Sequence, residues 1–279
     1  MSFSGMIDNL YQQWKPADEA SAQTLRNLWF DSEHYIVAAA DQSTDSTEHF
    51  VVAGCELAAG EPWVEERAVA IHVRLDPDKR TCHVRKAHTL TFGWAGHWLV
   101  RRGADPDALA RYRPLPPDPY NWGGDGYDPK AEGLISASHY WYARPGDART
   151  RTIEDRIRRS GDRYEILTRQ MAYSEYATEE EREAHFVLLL DNHPRAAERR
   201  YVVQLETVHR LRAAYTLDEG AFRTEKQAQE WIDRIDPRRL APLPATDPAT
   251  GLPTAPRSTA PAAAPAAFQP PSTPRRFTR

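Results

Sequence analysis

The sequence predicts an α+β protein: two modules of antiparallel sheet with helices packed on one face, followed by a disordered Pro/Ala-rich C-terminal tail. Three observations carry this. Short apolar runs separated by turn residues recur in both halves, the pattern of a strand meander. Each half then closes on an amphipathic helix, with Ala95, Trp98 and Leu99 in the first and Ala228, Trp231 and Ile232 in the second. Finally, residues 237–279 hold eleven of the 22 prolines and almost no large apolar side chains, which is too little buried surface to offset the entropy of ordering.

The elements follow in order. Met6, Ile7, Leu10, Tyr11 and Trp14 recur at helical spacing up to Lys15-Pro16. Pro16 suits the first turn of a second helix, with Asp18 and Glu19 at its positive end and Ser21, Leu25, Leu28 and Trp29 along one stripe. Both stripes read as core. Strands are predicted at Tyr35 to Ala40, Phe50 to Leu57, Ala68 to Leu75 and Thr81 to Lys86, joined by Asp-, Gly- and Pro-rich turns. In the third, Val69, Ile71, Val73 and Leu75 alternate with Ala70, His72 and Arg74, which predicts one buried face. A helix from Gly93 to Arg102 ends at Gly103, the expected left-handed cap.

The second half opens with a strand from Leu134 to Ala143. A capping box at Thr152 to Asp155 predicts a helix to Ser160-Gly161; Tyr164 to Tyr176 and Ala184 to Leu190 read as strands, with a helical turn opened by Thr178 to Glu181. Residues 195–215 mix a helix start at Asn192 and Pro194 with strand alternation at Tyr201, Val203 and Leu205, and the β-branched cluster favours strand. Thr224 and Gln227 start the last helix, and Asp236-Pro237 stops it. The expected division is therefore an N-terminal module 1–103, an irregular connection 104–131, a C-terminal module 132–236 and a basic tail 237–279. The three matched helix positions do not by themselves establish a duplication, because any helix covering a sheet wants a small and a large residue on that face.

Charge is divided unevenly. Residues 1–236 carry 30 basic and 39 acidic residues, whereas the tail carries six arginines against Asp247 alone. The body is therefore acidic and the tail a cationic spacer stiffened by proline. The longest apolar runs are too short to span a bilayer, and no basic-then-apolar stretch opens the chain. Two cysteines, Cys55 and Cys82, suit a reducing compartment, so a cytoplasmic location is expected. Phosphate loops, the Gly-x-Gly-x-x-Gly turn, Gly-x-Ser-x-Gly, His-Glu-x-x-His and paired Cys-x-x-Cys are missing from the sequence. Enzymes built on those motifs lose most of their support, and no catalytic residue, metal or cofactor is assigned.

Four constellations remain. The loop and strand bearing Tyr120, Trp122, Gly124, Asp125, Tyr127 and Trp141 combine stacking surface, close backbone approach and oxygen ligands, which makes them the expected ligand- or partner-binding site. Arg275, Arg276, Phe277 and Arg279 place an aromatic anchor among arginines, the make-up of a docking peptide for a protein partner. His72, Cys82, His83 and His88 are metal-ligand types, but Cys82 and His83 point to opposite faces of one strand, which spoils a shared site. Arg149 to Arg163 is dense in arginine, yet Glu154, Asp155 and Asp162 interleave. The expectation is a non-catalytic binding protein without a membrane partner. The alternatives are a hydrolase or transferase working at the inter-module loop, and a nucleic-acid accessory protein using the arginine-dense stretch.

Overall fold

The computed structural model describes residues 3–55, 68–113, 144–172, 182–209, 214–234 and 242–254. The first half runs α1 (Phe3–Gln13), β1 (Lys15–Pro16), α2 (Glu19–Phe30), β2 (Tyr35–Gln42), β3 (Glu48–Cys55), β4 (Ala68–Asp76), β5 (Thr81–Thr89), α3 (Phe92–Val100) and α4 (Pro106–Ala110). The second runs β6 (Arg144–Pro145), α5 (Ala148–Arg158), β7 (Tyr164–Ala172), β8 (Arg182–Asp191), a 3-10 turn (Pro194–Arg199), β9 (Tyr201–His209), β10 (Ala214–Phe222) and α6 (Glu225–Asp233). Sheet A is ordered β1-β5-β4-β3-β2 and sheet B β6-β10-β9-β8-β7. In each, four strands form an antiparallel meander and the two-residue first strand adds in parallel to the last.

The second half repeats the first down to single hydrogen bonds. Lys15-Pro16 pairs with Thr81-Cys82, and Arg144-Pro145 pairs with Ala214-Tyr215. The next residues, Ala17 and Gly146, donate N–H to the carbonyls of Cys82 and Tyr215. Asp18 caps α2 by accepting the Ser21 N–H, and Asp147 caps α5 by accepting that of Thr150. The hydroxyls of Ser21 and Thr150 then accept from Val84 and Leu217, tying each helix to its own last strand. A bulge interrupts both edge ladders at the fourth residue, between Val37 and Ala39 and between Ile166 and Thr168.

Helices lie on both faces of each sheet, giving the order α1/α2, sheet A, α3/α5, sheet B, α6. Ile7, Leu10, Leu25 and Leu28 cover Val51, Val69, Ile71 and Val73 on the outer face of sheet A. Between the sheets, Phe50, Val52 and Ala70 join Leu99 of α3, Ile153 and Ile157 of α5, and Leu189, Val202 and Leu217 of sheet B in one buried cluster. Beyond sheet B, Ala228 and Ile232 of α6 pack on Phe186, Leu188, Val203 and Leu205. α3 sits close against α5 because Gly93 and Gly96 face it. A Cβ on Gly93 would come within 3.1 Å of the Glu154 Cα, and one on Gly96 within 2.9 Å of the Arg158 Nε.

The α+β class with two sheet modules is the one the structure has, and several finer features differ. Covering both faces, rather than one, follows from Ala68 to Val73: Ala70 is small but apolar, so both sides of the strand are buried up to its charged end. Pro16 belongs to β1, and α2 starts later, capped by Asp18. α5 starts at Ala148 rather than Thr152, because Asp147 wins the cap. Residues 195–215 hold both signals in succession, a 3-10 turn and then β9. Residues 104–113 carry α4, which packs against β2. Residues 242–254, read as the start of the tail, fold onto the second module. Leu243 packs beside α6, Ala245 bridges Gly220, and Thr246 is buried with its hydroxyl on the Glu219 carbonyl. A proline-rich segment can be held this way because carbonyl acceptors and one leucine suffice. The expected elements at Leu134 to Ala143 and Thr178 to Glu181 lie outside the described residues, as do residues 255–279.

Candidate partner-binding face

The helices that cover sheet A each present one apolar stripe inward, and α2 carries more apolar surface than one stripe can hide. Leu28, Trp29 and Phe30 are consecutive, so at about 100° per residue they span more than one face. Leu28 takes the core. Trp29 and Phe30 are left outside at 38% and 67% exposure, and Tyr11 of α1 joins them at 48%. These are the exposed large hydrophobics among the described residues, and all three lie together. The rings of Tyr11 and Trp29 stack at 5.0 Å and 19°, Phe30 meets Trp29 edge-on at 5.1 Å, and the Trp29 indole N–H donates to Asp8 at 3.1 Å. Stacking and the indole bond hold the cluster in place on rigid helices.

The segment that builds α1 and α2 is acidic in sequence, and its Asp8 touches the cluster. Between residues 3 and 34 the sequence has five acids (Asp8, Asp18, Glu19, Asp31, Glu33) against Lys15 and Arg26. Both aromatic stripes were expected to be core. The expectation is right for Ile7, Leu10, Leu25 and Leu28 and wrong for Tyr11 and Trp29, and the Trp29-Phe30 pair was the available signal.

The expected binding residues Tyr120, Trp122, Gly124, Asp125, Tyr127 and Trp141, and the tail residues Arg275, Arg276, Phe277 and Arg279, lie outside the described residues. The histidine and cysteine candidates are placed, and they are dispersed. His72 stacks on Phe50 at 4.8 Å and sits 3.5 Å from Glu48; burial outweighs that carboxylate and lowers its pKa. Cys82 is buried on the opposite face, where burial pushes its thiol up and out of reactive range. His83 meets the capping Asp18 at 3.2 Å. Among the described residues no three His, Cys, Asp or Glu side chains are grouped to hold a metal ion.

The arginine-dense stretch is spent inside the molecule. Arg158 is buried against α3, bonding the Tyr112 hydroxyl at 3.0 Å and Asp155 at 3.1 Å. Tyr112 and Tyr215 both donate to buried Glu154, at 3.4 and 2.8 Å. Arg156 pairs with buried Glu219 and Tyr164 and reaches the Pro248 carbonyl at 3.0 Å. Arg163 grips Asp191 with two bonds, at 2.8 and 2.5 Å, and takes the Thr250 carbonyl at 2.7 Å. Arg159 crosses to Asp107 of α4. These guanidiniums bind α5 to the first module and to residues 242–254. No described helix is long and apolar enough to cross a membrane. No family model, curated protein or solved structure matches this chain.

Proposed function

We propose that this chain is a non-catalytic binding protein whose folded body engages a protein partner through the aromatic face of α1 and α2. The carrying observation is the gathering of Tyr11, Trp29 and Phe30 into one rigid exposed cluster. Scattered apolar residues need no explanation, whereas a contiguous patch rimmed by polar groups marks an interaction site. Tryptophan and tyrosine are the residue types that dominate interface energetics. The acidic α1–α2 segment favours a partner segment with an apolar stripe flanked by lysine or arginine.

In this reading Arg275, Arg276, Phe277 and Arg279 form a second docking element, and two linked contacts raise avidity if the spacer reaches both. The protein works in the cytoplasm, where Cys82 stays reduced. A phosphate-binding surface on Arg149 to Arg163 is disfavoured because Arg156, Arg158 and Arg163 are already paired and mostly buried.

Fluorescence anisotropy with a labelled leucine–lysine helical peptide tests the reading, using the same peptide with glutamate for lysine as control. The lysine peptide should bind and the glutamate peptide should not, in both the full chain and a chain ending at residue 254. Trp29→Ser with Phe30→Ser should weaken binding by roughly 30-fold, the scale of hot-spot loss. Unchanged affinity in that double variant would rule the face out.

A further inference from the structure

Beside the outer edge of sheet A lies a cleft of about 480 Å³ whose lining excludes Tyr11, Trp29 and Phe30. Its floor is apolar, built from Val37 and Ala40 of β2 and Val51 of β3, with Phe3 and Met6 of α1 as one wall. The other wall is α4 and the chain leaving it, which sets Arg111 and Arg113 on the cleft. Two bonds fix that wall. Ala38 is the extra residue of the β2 bulge, so its carbonyl is free of the ladder and accepts the Arg113 N–H at 2.7 Å. At the near end of α4, Asp41 accepts the Asp105 N–H at 2.8 Å.

Asp41 also lines the cleft, with its carboxylate engaged by the Asp105 N–H, whereas the two arginines on the wall are not consumed by the fold. The guanidiniums of Arg111 and Arg113 are exposed and make no hydrogen bond or ion pair among the described residues. His49 lines the cleft from β3, half-buried, and burial lowers its pKa so that the ring is neutral at neutral pH. The repeat supplies an internal comparison. His49-Phe50-Val51 and His185-Phe186-Val187 occupy the same register in the two sheets, opposite Val73 and Glu206 respectively. His185 is only 4% exposed, on the side of sheet B that meets the first module. The position that the protein itself covers in the second module is open in the first.

We propose that this cleft binds a small organic carboxylate with an apolar body, the carboxylate between Arg111 and Arg113 and the body along Val37, Ala40 and Val51. Guanidinium recognises a carboxylate through paired charge-assisted bonds. The apolar floor demands more than a small hydrophilic anion, since acetate or phosphate would leave it wet. A cleft of this size lies in the range that holds a drug-sized molecule. Because residues 1–236 are net acidic, the two arginines supply the local charge that admits an anion at all.

Isothermal titration of the full chain with decanoate, held below its micelle-forming concentration, tests this against acetate and decylammonium. Decanoate should saturate at one per chain while neither control saturates. Arg111→Gln with Arg113→Gln, at exposed positions, should weaken decanoate roughly tenfold or more, the value of a charge-assisted bond. Ala40→Phe should also weaken it by filling the floor, and thermal unfolding checks that this variant folds. Three results would overturn the proposal: decylammonium binding as well as decanoate, decanoate binding unchanged in the arginine pair variant, or decanoate binding abolished by Trp29→Ser with Phe30→Ser.

Discussion

Tyr112 and Tyr164 show how single side chains connect the two modules to pH. Burial pushes both phenols above the ordinary value; Glu154 adds to this at Tyr112 and Glu219 at Tyr164, against the neighbouring Arg158 and Arg156. A raised folded-state pKa means the folded chain holds protons that the unfolded chain gives up. Stability is therefore full below pH 10 and falls as pH rises past it, by about 1.4 kcal/mol per pH unit for each phenol. Urea unfolding measured from pH 8 to 11.5 should show this decline, and Tyr112→Phe together with Tyr164→Phe should flatten it. An unchanged slope in the double variant would mean that the phenols ionise in the folded protein. At this scale the sequence was partly legible. Gly103 was read as a left-handed cap and has φ 107°. The burial of Glu154 and Arg158 was not foreseeable, because only the glycines of α3, far off in sequence, make room for them.

Elements were legible where every signal was local. α6 has Thr224 as cap with its oxygen on the Gln227 N–H, so it begins where the sequence says, and Ala228 and Ile232 of its apolar spacing are buried; the expected stop at Asp236-Pro237 lies outside the described residues. α5 had two competing caps, Asp147 and Thr152, and the choice is settled by Thr150, whose hydroxyl is taken by Leu217 of β10. A distant strand decides a local boundary. The same holds for residues 242–254, whose composition says tail and whose fate is set by Arg156, Arg163 and Leu243. A chain ending at residue 241 should therefore unfold several degrees below one ending at 254, since each kcal/mol lost is worth about 2–4 °C in a chain of this size. Equal melting temperatures would show that these contacts contribute nothing.

The whole molecule is two copies of one module whose shared core makes them a single cooperative body. Trp94 of α3 donates to Gln204 of sheet B at 3.0 Å, Gln204 passes on to Glu219, and the cluster around them draws side chains from both halves. Calorimetry should show one transition, and Trp94→Ala should lower it as a unit by an amount matching about 3–5 kcal/mol. Two resolved transitions would contradict the shared core. The repetition was hard to read because no single shift aligns the halves: Asp18 and Asp147 are 129 residues apart, His49 and His185 136, Thr91 and Thr224 133. Connections of different length between matching strands blur the period, so Ala-x-x-Trp alone could be seen.

The meeting of α3 with α5 joins unlike sides of the module, since α3 corresponds to α6 and α5 to α2. A contact of that kind is head-to-tail rather than self-complementary; separate modules using it would add on, into a ring or an open fibre. The chain carries its own terminators. Where α3 has Gly93 and Gly96 to admit a neighbour, α6 has Lys226 and Gln229, long polar side chains that keep a third unit away. At the opposite end α1 lies across α2 in the berth that α3 takes on α5. Growth through that contact is thereby stopped at a pair, and among the described residues the α1–α2 end is where large aromatic rings stay bare to a visitor.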